Sequence, residues 1–246
     1  MLKVIKNAGE KMYTHIYETR YGDYKDFDTI KIGSVLDIIQ DVSTKDSERL
    51  GYGIRELRDM NLAWLMQGIN VKFENRVRTN ANIEAFTAVK SVKGVTSERG
   101  CILKQNGEIV AKSVANWFLF NSERGKIARI TPEMQAVYEI YDFEDEFFSY
   151  VKPQIADNLK PLYNIKVSNK EIDTNKHLNN QKGADLLMDA LPFDFEFDNL
   201  KILYKNPAFL GDELGVCRCE VSNGFYVQLL FESGEVCVCA TFEKNK

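Results

Sequence analysis

Asp173, Asn175 and His177 stand at alternate positions in the stretch Asp173-Thr174-Asn175-Lys176-His177-Leu178-Asn179-Asn180. A carboxylate, a carboxamide and an imidazole are the side chains that can aim a water, take its proton and donate to an oxyanion. In an extended segment alternate residues share a face, so the spacing predicts all three on one side of a strand or loop. Asn and Asp also favour turns for purely local reasons, and a polar loop is the competing reading. The stretch runs straight into a helical pattern. Asn180 is the expected cap, and the first helical N–H groups point back toward the same place.

The elements that must position these groups follow from periodicity. Tyr163-Asn-Ile-Lys-Val reads as a strand before the stretch. After it, Ala184, Leu187, Met188 and Leu191 mark a helix that Pro192 ends. Strand patterns recur at Leu200 to Tyr204, Gly215 to Val221, Phe225 to Phe231 and Glu235 to Phe242, with Ser233-Gly234 at the last hairpin. The first half has the same plan. After a polar lead-in, Tyr13 to Tyr21 reads as a strand. Val35, Leu36, Ile38, Ile39, Val42 and Leu50 then fall at helical spacing, with Ser34 as cap and Gly51 as stop. Residues 62–66, 69–73, 83–92, 101–105 and 108–120 are strand-like, and Asn106-Gly107 is the strongest hairpin signal. Thr131-Pro132-Glu133 opens a short helix. The acidic, aromatic and proline-interrupted remainder of 131–160 reads as a surface linker.

Both halves therefore read strand, helix, then about four antiparallel strands. Local sequence supports a duplication: Asp28-Thr29-Ile30-Lys31-Ile32 precedes the first helix as Asp173-Thr174-Asn175-Lys176-His177 precedes the second. Gly107-Glu108-Ile109 likewise corresponds to Gly234-Glu235-Val236. On this pairing Ile30 and Ile32 replace Asn175 and His177. One half would then do chemistry while the other holds something apolar.

Composition bounds the function class. A chain of 246 residues, 44% hydrophobic and 28% charged, buries a core without external staples. A net charge of −4 and a pI near 5.4 give no nucleic-acid footprint. The first residues lack the apolar core of a signal peptide and no apolar run approaches membrane length, so a cytoplasmic protein is expected. Five cysteines suit reduced thiols. Cys217-Arg-Cys219 and Cys237-Val-Cys239 lie in strand patterns without the spacing of zinc knuckles, so no metal is expected.

A helix wrapped by an antiparallel sheet, present twice, with Asp-x-Asn-x-His-x-Asn-Asn before the second helix, resembles the acyl-acyl-carrier-protein thioesterase family of double hot-dog proteins. Ala115-Asn-Trp-Phe118, Ala128-Arg-Ile130 with Pro132, and Asp212-Glu-Leu214 extend the resemblance over nearly the whole chain. It implies an α+β tandem hot-dog with an acyl-binding half over 1–130, a linker over 131–160 and a catalytic half over 161–246. It also implies hydrolysis of fatty acyl thioesters carried by acyl carrier protein, in fatty acid biosynthesis, with Asp173, Asn175 and His177 as the catalytic set and no cofactor. Trp64 and Met66 are candidates for the acyl channel, although aromatics and Met on a strand are more often plain core. No nucleic acid or membrane partner is implied, and a homodimer is left open. Plant members usually carry a Glu-Cys pair on the strand after the second helix. Here Pro207 and Ala208 stand at that point, which rules out a cysteine nucleophile there, favours direct attack by water, and leaves the general base open. Hot-dog hydratases use a related motif whose spacing is one residue longer. A non-enzymatic acyl-binding module would not need the three polar residues.

Overall fold

The computed structural model describes residues 12–245, so most of the polar lead-in lies outside the described residues. The chain divides into two compact units. One runs up to Gln67 and resumes over Phe73–Tyr150; the other comprises Gly68–Lys72 and the chain from Val151 onward.

In the first unit β1 (Tyr13–Tyr17), β3 (Ile83–Lys93), β4 (Thr96–Gln105) and β5 (Glu108–Asn121) pair in that order, all antiparallel. The short β6 (Lys126–Ile127) adds to β5. The helix α1 (Ile32–Arg49) packs on β1, β3 and β4 and buries Val35, Leu36, Ile39 and Val42, the stripe that the helical spacing predicts. Its N-cap is Lys31 rather than Ser34, which falls inside the first turn. Gly51, at φ +81°, follows its end in the left-handed conformation that glycine adopts freely. The strand-like runs at 62–66 and 69–73 are one strand, β2 (Leu62–Phe73), preceded by α2 (Ile54–Asp59). Asn106 and Gly107, at φ 53° and 81°, form the tight turn between β4 and β5.

In the second unit the order is Gly68–Lys72 of β2, β8 (Asn199–Tyr204), β11 (Val236–Glu243), β10 (Gly224–Phe231), β9 (Glu213–Val221) and β7 (Lys160–Lys166), again antiparallel. Its helix α4 (Asn180–Met188) has 9 residues against 18 in α1, so it stops before Leu191. Ala184 and Leu187 are buried, and α4 packs on β10 and β11. Each unit is a helix laid on an antiparallel sheet, the α+β plan of a tandem hot-dog.

The region 131–160 is more than a surface linker. It opens with α3 (Pro132–Val137), capped by the Thr131 hydroxyl, as the sequence predicts. Phe143 and Phe148, stacked at 4.2 Å between ring centroids, are then buried with Met12, Ala88 and Val114. A Cβ at residue 100 would come within 2.4 Å of the Phe143 ring, so Gly100 is what lets the ring seat on β4. In the second unit Ala156 and Leu159 cover Leu203, Tyr226 and Cys239. Arg99 and Gly100 are consecutive and face opposite sides of β4; Arg99 bonds to α1 and Gly100 meets Phe143. A sheet apolar on both faces needs a cover opposite its helix, and this segment supplies it.

The duplication holds in topology but not in the pairing that the sequence match suggests. An isolated bridge joins Tyr24 to Ile30 ahead of α1, and one of equal span joins Ile172 to Leu178 ahead of α4. Within them, Lys25 N–H donates to Thr29 O at 2.9 Å and Asp173 N–H to His177 O at 2.9 Å. Lys31 and Asn179 then cap the two helices. Asn175 and His177 therefore correspond to Phe27 and Thr29, not to Ile30 and Ile32, a shift of three residues. The Asp-Thr match was fortuitous because turn residues recur wherever a chain turns.

One buried ion pair ties α1 to its sheet. Arg99 Nη1 donates to Asp46 Oδ2 at 2.6 Å, both side chains being 6% exposed, and Arg49 Nη2 donates to the other oxygen at 2.8 Å. Asp46→Ala leaves Arg99 buried without its carboxylate and is expected to lower unfolding free energy by about 3–5 kcal/mol. Breaking the more exposed Lys45–Asp41 pair, at 3.5 Å, through Lys45→Ala should cost under about 1 kcal/mol. Denaturant titration of both variants checks the contrast.

Candidate active site at the start of the second helix

The stretch carrying Asp173, Asn175 and His177 is a closed turn rather than an extended segment. Its ends are fixed by backbone: Ile172 bridges Leu178, Asn179 N–H donates to Glu171 O at 2.8 Å, and Leu178 N–H donates to Ala208 O at 2.7 Å. Inside the turn, Lys176 N–H donates to Asp173 O at 3.1 Å, and Lys176 sits at φ +64°. The alternate-face expectation is therefore replaced by convergence around one carboxylate. Asp173 Oδ1 accepts from the N–H of Asn175 at 2.8 Å and of His177 at 3.3 Å, while Oδ2 faces Asn175 Nδ2 at 3.5 Å. The turn chemistry and the candidate chemistry occupy the same residues. Asp173 and His177 are half-buried and Asn175 is exposed.

The helix start is organised differently from the expectation. Asn179, not Asn180, is the cap: its Oδ1 accepts from Gln181 N–H at 2.9 Å and Lys182 N–H at 3.2 Å. Those two donors are satisfied internally and are not available to an oxyanion. Asn180 instead presents its carbonyl to Tyr204 Oη at 3.0 Å.

Beneath the turn, Glu171 closes a capping box with Ser168. Its Oε2 accepts from Ser168 N–H and Oγ–H, each at 2.7 Å. Burial pushes the Glu171 carboxyl up, but the two Ser168 bonds and the Lys170 ammonium outweigh it and hold the group below its ordinary value. The pattern Ser168-x-x-Glu171 is legible in sequence as a capping box, although it closes a single 3-10 turn rather than an α-helix.

The loop 205–212 supplies the other wall. Lys205 and Asn206 N–H groups donate to Cys237 O at 2.9 and 3.1 Å, and Ala208 is fully buried, with its carbonyl on Leu178. Phe209 meets the His177 ring edge-to-face, with centroids 5.1 Å apart at 82°. No signal in the sequence identifies Phe209, because the contact joins residues distant along the chain. Burial raises all five thiols above their ordinary value, Cys237 and Cys101 to about 12, so none supplies a thiolate near neutrality. Among the described residues, no cluster of His, Cys, Asp and Glu has metal-holding geometry, and no helix is long and apolar enough to cross a membrane. Trp64 packs into the core cluster of Leu57, Leu119, Ile130 and Met134.

Comparison with known proteins agrees with this architecture. The family model described as acyl-ACP thioesterase N-terminal domain matches residues 10–138, and the C-terminal domain model matches residues 155–236. The oleoyl-acyl carrier protein thioesterase 2, chloroplastic, of Arabidopsis thaliana is 20% identical over 182 residues. That match takes in 67% of this chain and 50% of the plant protein, so the chain spans about half the length of that relative. An acyl-ACP thioesterase structure from Bacteroides thetaiotaomicron superposes with a TM-score of 0.87 at 17% identity, covering 96% of this chain and 98% of that one. The 12:0-ACP thioesterase from Umbellularia californica gives 0.76 at 14% identity, over 94% and 96% of the two chains. At these identities the structural likeness speaks for the fold.

The Glu171 box generates a pH dependence. A carboxyl held low in the folded state adds stability that is present above the unfolded value and lost as pH falls through the folded one. Between about pH 5 and pH 3 the parent should lose stability more steeply than Glu171→Gln. Thermal unfolding of both proteins across that window measures the difference in slope.

Proposed function

The chain belongs to the acyl-ACP thioesterase family, and from that premise we propose that it hydrolyses fatty acyl thioesters of acyl carrier protein, releasing the free fatty acid and the carrier thiol. The observation that carries the reading is the turn 173–177, where the Asp173 carboxylate gathers the backbone N–H groups of Asn175 and His177 and faces the Asn175 carboxamide, and where Leu178 is tied to Ala208, the position at which the resemblance places a cysteine in plant members. With no thiolate available, water is the nucleophile.

In this reading His177 takes the proton from water as its oxygen bonds to the thioester carbonyl carbon. Imidazole suits the task because one ring nitrogen can accept a proton and later give it up. Asp173 Oδ1 is committed to the turn, while Oδ2, touched among the described residues only by Asn175 Nδ2 at 3.5 Å, retains a lone pair to orient the water. Asn175 Nδ2 donates to the oxyanion, a role the occupied Gln181 and Lys182 N–H groups cannot share. Collapse of the tetrahedral intermediate breaks the C–S bond, and the imidazolium returns its proton to the departing sulfur. The first unit serves as the acyl-chain half, since Phe27 and Thr29 at its equivalent turn handle no proton. Five unbridged thiols suit a reducing compartment, and we place the reaction in the cytoplasm.

An acidic carrier domain would meet lysines around the turn. Lys166, Lys170 and Lys182 are paired with Glu213, Glu171 and Asp185 at 3.9, 3.5 and 3.4 Å, which leaves the exposed Lys176 at the tip as the principal contact.

His177→Ala should lower turnover on the order of 100-fold or more in a folded protein, with Asp173→Ala and Asn175→Ala similar and the three losses far from additive. Steady-state release of free thiol from an acyl-carrier-protein substrate measures this, and near-normal turnover in His177→Ala would overturn the reading. Activity on acyl-carrier protein should also fall with salt more steeply than activity on a small acyl thioester. Equal slopes for the two substrates would remove the electrostatic docking contact.

A further inference from the structure

We infer that Phe209 is a positioning residue for the imidazole of His177, an inference that rests on the hydrolytic role proposed for that histidine. A catalytic base is ordinarily aimed by a third group that hydrogen-bonds its far nitrogen. Here no described residue exchanges a hydrogen bond with the ring nitrogens of His177; its backbone N–H goes to Asp173, and its ring contact is Phe209. An imidazole without such a bond swings about two torsions unless packing stops it. An edge-to-face aromatic neighbour at 5.1 Å does so without engaging a ring nitrogen in a hydrogen bond.

Phe209 is itself held in place. Its N–H donates to Asp212 Oδ2 at 2.8 Å, and Asp212 N–H returns to Phe209 O at 3.1 Å. Gly211, at φ +93°, allows that tight loop, and its N–H donates to Val167 O at 2.9 Å. The 2.7 Å bond from Leu178 N–H to Ala208 O joins the residue after His177 to the residue before Phe209. The two rings thus project from a pair of backbones that are cross-linked one residue away. A ring that is 48% exposed contributes little to the core, so its burial gives no sufficient reason for the loop to be fixed so tightly.

The first unit supplies an internal control. Ile30 N–H donates to Val77 O at 3.1 Å, as Leu178 N–H does to Ala208 O, so Thr29 and Arg78 occupy the positions of His177 and Phe209. The backbone arrangement is present in both copies. The aromatic pair accompanies only the copy that carries the histidine.

The test uses Phe209→Leu, which keeps apolar bulk at a half-exposed position, and Phe209→Tyr as the conservative replacement. Turnover of an acyl-carrier-protein thioester should fall on the order of 10-fold in Phe209→Leu with KM nearly unchanged, and recover in Phe209→Tyr. In a His177→Ala background, Phe209→Leu should have no further effect, because its action passes through the imidazole. The protein has 2 histidines, so the ring-proton resonances of His177 can be assigned by their disappearance in His177→Ala. They should move in Phe209→Leu while those of His15 stay. Unmoved His177 resonances, unchanged turnover in Phe209→Leu, or an equal loss in the His177→Ala background would each overturn the inference. Failure of the hydrolytic reading is seen separately, as a His177→Ala protein that still turns over normally.

Discussion

The bond from Leu178 N–H to Ala208 O is the constraint on which the second unit's site depends. At 2.7 Å it couples the end of the polar turn to the loop after β8, between the residue following His177 and the residue preceding Phe209. Asn179 then has a fixed entry into α4, Glu171 closes the turn from below, and the Asp173 carboxylate can gather the N–H groups of two neighbours. Side chains on a loop are accurate only when the backbone beneath them is over-determined, and here it is tied at 172, 178 and 179.

The two units show how one plan is kept while its chemistry changes. Bridge, turn and capped helix recur with equal spans, because they are dictated by backbone hydrogen bonds that any sequence compatible with the turn can make. Side chains hung on that frame are free to differ, and Phe27 and Thr29 face Asn175 and His177 across the comparison. The helices differ as well. α1 extends to Arg49 and carries Asp46 to Arg99, whereas α4 ends at Met188 and has no counterpart of that buried pair among the described contacts.

Much of this was legible in the sequence where local physics decides. The stripe Val35, Leu36, Ile39, Val42 specifies a helix, Asn106-Gly107 a tight turn, and Thr131-Pro132 a capped start. What long-range contact decides was not legible. Phe143 and Phe148 look like polar-linker aromatics until Gly100 is placed beneath one of them. The cap fell on Asn179 because Asn180 and Asn179 are the same residue type, and only the register of the first helical turn separates them. The backbone N–H groups of Asn175 and His177 meet on the Asp173 carboxylate through a closed turn, the geometry of the polar-loop reading, and not through strand alternation. Phe209 left no trace, since nothing in its neighbours announces a histidine far back in the chain.

Lys176 carries a further consequence. A left-handed backbone costs a residue with a Cβ on the order of 1 kcal/mol, and Asn or Gly would adopt it with less strain. The tip of the turn is therefore a place where the fold is less stable than it could be, with a positive charge held outward in exchange. Sequence drift governed by stability alone would favour glycine or asparagine there, so the persistence or loss of that lysine among relatives distinguishes a charge kept for encounter from one merely tolerated.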